Sequence, residues 1–359
     1  MAKAYRLRVG RAATSSFVLG TTKPDATNTG VPAGTTLTLH SGDWTISTPN
    51  TVIDGYDITG MVTISAANVT IRNCLIRGRN VGFVYYGLVN CRPHYTGTLI
   101  ERCTIRADYP RYWLNGIDGG NFTSHRNDIS GCIDPHNTNL GNITVTGNYC
   151  HDFYFANDDG DQATSDPRYW SHNDGVQFRG GGVGGFSTVR GNNFYWYPDT
   201  ASPIDHTAIL ATGARNDIAS NLADYSSSSY YRKTFLSDNP TTPSGRYLWG
   251  SGITISPDAG PVTDLSITEN WFEGGGACVQ IGNGSSNLGV NNNIGTIANN
   301  RFGGDQFNFG AGSRYQIRYK NGQTIAGLTT NYWDSVPTVA PGLWGVPFAD
   351  SSTGGIRHD

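Results

Sequence analysis

Short runs in which every second residue is apolar recur along the chain. Each closes on an asparagine followed by an aromatic or aliphatic side chain. Val69-Thr70-Ile71-Arg72-Asn73-Cys74-Leu75-Ile76 is the first. Ile143-Thr144-Val145-Thr146-Gly147-Asn148-Tyr149 and Ser187-Thr188-Val189-Arg190-Gly191-Asn192-Asn193-Phe194 repeat it. So do Leu265-Ser266-Ile267-Thr268-Glu269-Asn270-Trp271-Phe272 and Thr296-Ile297-Ala298-Asn299-Asn300-Arg301-Phe302. Weaker copies end at Asn127, Asn221 and Asn331, and one carries Arg102 in the asparagine slot. A unit of roughly 20 to 30 residues, lengthened in places by insertions, is the signature of a solenoid.

The period of two makes each copy a strand. No copy is followed by an apolar stripe at helical spacing, which argues against leucine-rich and ankyrin repeats. The fold class is therefore all-β, a right-handed parallel β-helix of about ten coils stacked about 4.8 Å apart. Asparagine tolerates the left-handed turn conformation and bonds nearby backbone, so these asparagines are expected to stack in a ladder at the turn. Residues 1–50 form an N-terminal strand and cap region, 51–335 the helix, and 336–359 a C-terminal plug built around Pro337, Pro341, Trp344 and Phe348. Tyr5, Leu7 and Val9 alternate with Arg6 and Arg8, giving either a short strand or a tail.

Each coil offers a second strand after a loop of variable length: Gly116-Ile117-Asp118, Cys132-Ile133-Asp134, Gly175-Val176-Gln177-Phe178, Gly252-Ile253-Thr254-Ile255, Cys278-Val279-Gln280-Ile281 and Phe307-Asn308-Phe309. If Val176/Phe178, Ile253/Ile255 and Val279/Ile281 face inward, then Asp118, Asp134, Gln177, Thr254 and Gln280 stand outward in one row. An error of one residue would reverse that face. The long loops beside this row, about 104–114, 149–173, 193–206 and 222–250, build the expected binding face.

Composition narrows the partners. The 47 glycines suit a fold that turns every few residues. A net charge of −3 argues against nucleic acid. The first residues lack a signal peptide's apolar core, and no stretch is long enough to span a membrane. Cys74 and Cys103 share one slot in successive coils, leaving a thiol ladder and a disulfide both open.

The chemistry converges on the outward row. Asp118 and Asp134 on adjacent rungs would bring carboxylates about 5 Å apart, the spacing of a retaining glycosidase, while about 6.5 to 9.5 Å fits an inverting one. His136 and Arg179 share their parity, His206 opens the next coil's equivalent stretch, and Asp174 precedes the strand in His172-Asn173-Asp174-Gly175. A polysaccharide lyase would use such a carboxylate–arginine cluster equally well. Tyr112, Trp113, Tyr169, Trp170, Trp196 and Trp249 in the loops could stack on sugar rings or could pack the loops down. Asp158, Asp159 and Asp161 form either an acidic turn or a Ca²⁺ site. No other cofactor is required, and the expected partner is a polysaccharide.

These coils, over roughly residues 50–335, resemble the pectin-lyase-like β-helix superfamily, which implies polysaccharide lyases, glycoside hydrolases or phage tailspikes. Asn173-Asp174-Gly175 is similar to the first catalytic motif of polygalacturonase-type hydrolases, which implies Asp174 as a catalytic acid. Asn28-Thr29-Gly30-Val31-Pro32-Ala33-Gly34-Thr35-Thr36-Leu37 and Thr51-Val52-Ile53-Asp54-Gly55 look like β-helix proteins of actinobacteria and their phages. That likeness implies a tail-associated protein in a virion or outside the cell, a homotrimer, and a host-surface glycan as target. A bacterial enzyme and a non-catalytic adhesin are the alternatives.

Overall fold

The computed structural model describes residues 16–80, 86–110, 113–154, 173–179, 186–195, 252–255, 262–273, 278–281, 293–303, 315–319, 324–334, 347–350 and 355–358. Their strands lie in three sheets, and every pairing between strands is parallel. Two sheets have ten strands and one has eight. The fold is a right-handed parallel β-helix, as the apolar period predicts. The first sheet runs from Thr38–His40 to Tyr332–Asp334, the second from Trp44–Ile46 to Gly355–His358, and the third from Val52–Asp54 to Asn293–Ala298. One coil supplies one strand to each in turn, for example Leu75–Ile76, Tyr86–Cys91 and Thr98–Glu101.

The core is a set of inward columns. Ile53, Ile71, Ile100, Val145, Val189, Ile267 and Ile297 fill the third sheet's column and are all buried. The first sheet's column changes from isoleucine to phenylalanine along the axis. Ile58, Ile76, Ile105 and Ile129 give way to Phe194, Phe272 and Phe302, whose rings stack at 5.4 and 4.9 Å. Phe348 continues that stack at 4.9 Å and packs against Trp333.

The asparagine ladder exists, one residue away from the left-handed turn. Asn127, Asn148, Asn192, Asn270, Asn300 and Asn331 are completely buried at the turn between the third and first sheets. Each Oδ1 accepts from the backbone N–H one coil before it, as in Asn148 N to Asn192 Oδ1 (2.9 Å) and Asn192 N to Asn270 Oδ1 (3.0 Å). Each Nδ2 donates to a carbonyl of the preceding coil, Asn192 to Val145 and Asn270 to Val189. The left-handed residues are those just before: Asn73, Arg102, Arg126, Gly147, Gly191, Glu269 and Asn299, with φ between 50° and 64°. Asn73 and Arg102 therefore turn the chain, and the ladder slot beside them holds Cys74 and Cys103. Cys103 N–H donates to Asn127 Oδ1 at 2.8 Å, as an asparagine there would. All six cysteines are buried.

The first coil already begins at Thr38, which pairs with Tyr56. Upstream of it, residues 17–31 lie along the outside of the first sheet. Arg301 donates to Gly20 O, Lys23 pairs with Glu273, Asn193 Nδ2 donates to Pro24 O, Arg126 donates to Asn28 O, and Val31 N–H donates to Thr104 Oγ1. These contacts tie several rungs to one another, where a plain solenoid joins only neighbours.

Candidate functional site

The second sheet carries the outward row. Successive strands pair Thr63 with Asn90, Asn90 with Asp118, Asp118 with Asn137, Asn137 with Gln177, Gln177 with Thr254, Thr254 with Gln280, and Gln280 with Arg318. Asp118, Gln177, Thr254 and Gln280 thus take the places the apolar pairs assign them. Asp134 does not. The rung between Leu114–Gly119 and Val176–Phe178 is His136–Thr138, and Asn137 holds the outward place. The cause is Pro135. It has no N–H for a ladder bond, so a central strand cannot include it and starts after it. The same shift turns His136 inward, between Ile117 and Val176. Its Nδ1 faces the Gly175 carbonyl at 3.3 Å and its Nε2 lies 2.9 Å from Ser124 Oγ. Burial pushes its pKa down to about 4, which leaves the ring neutral at pH 7. His136 is an interior hydrogen-bonded residue, not a member of the outward face. The last expected strand moves as well. The rung beside Val279–Ile281 is Tyr315–Tyr319, and Phe307–Phe309 lies outside the described residues.

Asp134 still joins the site, from three residues before the row. Asp174 precedes Gln177, and Asn115 precedes Asp118, by the same count. Asp134 Oδ1 accepts from the Asp174 backbone N–H at 2.8 Å, and its Oδ2 from Asn137 Nδ2 at 3.0 Å. Asn137 Nδ2 also donates to Gln177 Oε1 at 2.5 Å, and Thr254 Oγ1 to Asp174 Oδ1 at 2.9 Å. Arg92, at the end of the preceding rung, donates to Asp118 Oδ2 at 2.5 Å. Asp118, Asp134 and Asp174 are 1%, 4% and 2% exposed.

Their environments differ. Burial raises the Asp134 carboxyl to about 7, against the hydrogen bonds from Asp174 and Asn137 and the nearby Arg179 charge. Burial also raises Asp118, and Arg92 opposes that shift through a hydrogen bond and its charge. Two neighbouring acids, one ion-paired and one holding its proton near neutrality, are an acid–base set. Among the described residues, Asp118 Oδ1, Asn137 Oδ1 and Asn115 Nδ2 are buried and meet no hydrogen-bond partner. Such atoms cost free energy unless a ligand or water meets them.

The expected aromatic platform is represented by Trp113, 38% exposed just before the Leu114–Gly119 strand. Tyr112, Tyr169, Trp170, Trp196, Trp249 and His206 lie outside the described residues, as do Asp158, Asp159 and Asp161. Among the described residues no group of three His, Cys, Asp or Glu side chains is placed to hold a metal, and no helix is long and apolar enough to cross a membrane. The repeat pattern alone does not single out Arg92, Asn115 or Asn137. Pro135 was the available signal for Asn137. Arg92 became findable only once Asn90 was registered on Asp118.

Fold and site together define a parallel β-helix with a buried acid cluster on one face. Comparison with family models, with curated proteins and with solved structures gives no match to this chain.

Proposed function

We propose that the chain binds a polysaccharide along the outward row of the second sheet and cleaves it with the aspartate cluster. The observation that carries this reading is the pairing of Asp134, which keeps its proton to about pH 7, with Asp118, which is ion-paired to Arg92. Asp134 then protonates the glycosidic oxygen, and Asp118 or Asp174 serves as base or stabilises positive charge on the sugar. Sugar hydroxyls satisfy the orphaned atoms of Asp118, Asn137 and Asn115. Gln177, Gln280 and Arg318 extend the row for further sugar units.

The likeness of residues 28–37 and 51–55 to phage and actinobacterial β-helices supports a place on a phage tail or outside the cell, with a host-surface glycan as substrate. The test is incubation with envelope polysaccharides and assay for released oligosaccharides. New reducing ends mark a hydrolase, and ultraviolet-absorbing unsaturated ends mark a lyase. Asp134→Asn and Asp174→Asn should each abolish release, and unchanged release in both would refute the assignment. One observation favours a second reading, adhesion without cleavage: all three carboxyls lie beneath the surface. In that case the wild type binds glycan and releases nothing.

A further inference from the structure

The acid cluster holds one bond that its own chemistry can break. We propose that the Asp134–Pro135 peptide bond is a self-cleavage site, at which the Asp134 carboxyl attacks its own backbone carbonyl and expels the proline nitrogen. Three features of the fold favour this. The Asp134 side chain is tethered to Asn137, on the C-terminal side of the Asp134–Pro135 bond, and to the Asp174 N–H, so it is held in one orientation. The Asp134 carbonyl oxygen accepts the Gly116 N–H at 2.8 Å, a donor already aimed at the atom that becomes an oxyanion. The next carbonyl, that of Pro135, is fixed by the Ile117 N–H at 2.9 Å, so the leaving segment is clamped as well. Attacking and attacked atoms share one residue, so no second group has to be brought in.

The step balances without any added reagent except water. A carboxyl oxygen of Asp134 forms a bond to the backbone carbonyl carbon, giving a tetrahedral centre. The C–N bond to Pro135 breaks, and the carboxyl proton leaves on the proline nitrogen, which becomes a secondary amine. A five-membered cyclic anhydride remains on Asp134. Water opens it to two carboxyls. The products are residues 1–134 and a chain that starts at Pro135. Proline suits the role, because its nitrogen is a tertiary amide and becomes a basic secondary amine on leaving. Burial keeps the needed proton available near neutrality.

The chain carries its own control. Asp166-Pro167 is the same dipeptide at another position. Intact-mass spectrometry of the purified full chain, aged at 37 °C across pH 5 to 9, reads both sites at once. The expected result is a pair of fragments ending at Asp134 and starting at Pro135, with masses that sum to the chain plus one water. Cleavage there should outrun cleavage at Asp166 by at least about tenfold, a barrier difference of about 1.4 kcal/mol. It should slow as pH rises through the Asp134 titration. Urea should erase the preference, since the unfolded chain orients neither site. Under native conditions the nicked chain should elute at its original size, because paired rungs flank the break. Pro135→Ala should stop the reaction by removing the weak amide. Asp134→Glu, which keeps the charge but needs a six-membered ring, should slow it by about tenfold or more. Absence of the fragment pair overturns the proposal. So does equal cleavage at Asp166 in the folded chain, or undiminished cleavage in either variant.

Discussion

Two stacks of polar side chains run along this helix, each built from one residue per coil, the first buried throughout and the second buried at Asp118, Asn137 and Thr254. At the turn between the third and first sheets the stack is uniform. Asparagine follows asparagine from Asn127 to Asn331, and from Asn148 to Asn300 every Nδ2 donates to the Oδ1 of the asparagine in the next coil. On the second sheet the stack is mixed, with asparagine, aspartate, asparagine, glutamine and threonine in turn. There the pairing is incomplete, with orphaned atoms on Asp118, Asn137 and Asn115. A repeat can satisfy a buried amide perfectly by copying it, because each copy offers its neighbour the same donor and acceptor. A row that varies from coil to coil cannot do this. The uniform stack therefore stabilises, and the mixed one is where ligand chemistry is expected.

The largest way to break this contrast is to cut the uniform ladder. Asn192→Leu removes the acceptor of Asn148 N–H and Nδ2 and the donor to the Val145 carbonyl. Three buried groups each lose a partner, Asn148 Nδ2 keeping only its bond to the Ser124 carbonyl, at about 1 to 3 kcal/mol each. The expected loss is about 4 kcal/mol, read as a fall in the urea midpoint. A loss below about 1 kcal/mol would mean that the ladder is decorative.

A third polar cluster belongs on the structural side. His151 is buried, with Nε2 2.8 Å from Asp128 Oδ1 and Nδ1 3.0 Å from Asp152 Oδ2. Both ring nitrogens face carboxylates, so the ring is an imidazolium. The flanking carboxylates raise its pKa to about 10, against the opposing effect of burial. A group whose folded pKa lies above its unfolded value stabilises fully below the unfolded value, about 6.5 for histidine, and loses that contribution as pH climbs through the folded one. Wild-type stability should thus decline between about pH 7 and 10. His151→Phe should cost about 3 kcal/mol at neutral pH by leaving the two carboxylates uncompensated, and should flatten that slope. Denaturation midpoints across pH test both.

The acid beside the mixed row should show the same sign of pH dependence, stability falling as pH rises, but the opposite response to substitution. Asp134 titrates near 7 in the fold, above the unfolded value of about 3.8. The unfolded chain sheds this proton first, so the native state is penalised progressively from about pH 4 to 7 and above. Asp134→Asn should remove the penalty and gain about 2 kcal/mol at pH 8, with no gain near pH 3. The same substitution should end polysaccharide cleavage. A variant that is less stable at pH 8 would show that the carboxylate is well paired and move Asp134 to the structural class.

Much of this was legible in the residues. The alternation around Ile71, Val145, Val189 and Ile267 is enough for parallel stacked strands, since only inward columns need to be apolar. The apolar pairs Val176/Phe178 and Val279/Ile281 are enough to turn Gln177 and Gln280 outward. Asp134 and His136 were misplaced because Cys132-Ile133-Asp134 imitates the rung pattern, while Pro135 forbids it by removing a backbone donor. The ladder was displaced by one residue because asparagine has two talents, a tolerance of positive φ and an amide that pairs with backbone. The repeat uses the first at Asn73 and Asn299 and the second at Asn148 and Asn192. Contacts of the 17–31 segment join residues up to 281 apart, a separation that no local period encodes.

The smallest expected effect tests how strict the uniform stack is. Cys103 occupies a ladder slot and keeps the forward bond, its N–H donating to Asn127 Oδ1. Its thiol replaces the amide and bonds the carbonyls of Glu101 and Ile71 at 3.3 and 3.6 Å, long contacts for a weak donor. Cys103→Asn would extend the asparagine run by one coil and offer a stronger acceptor to the coil before it. Against this stands Cys74, the next side chain in the stack, which an amide must not displace. The better hydrogen bonds and the tighter fit nearly offset, so the midpoint should rise by about 0.5 kcal/mol or less. A loss above about 2 kcal/mol would mean that the two cysteines are shaped for each other, and that the ladder ends at Asn127 by packing rather than by chance.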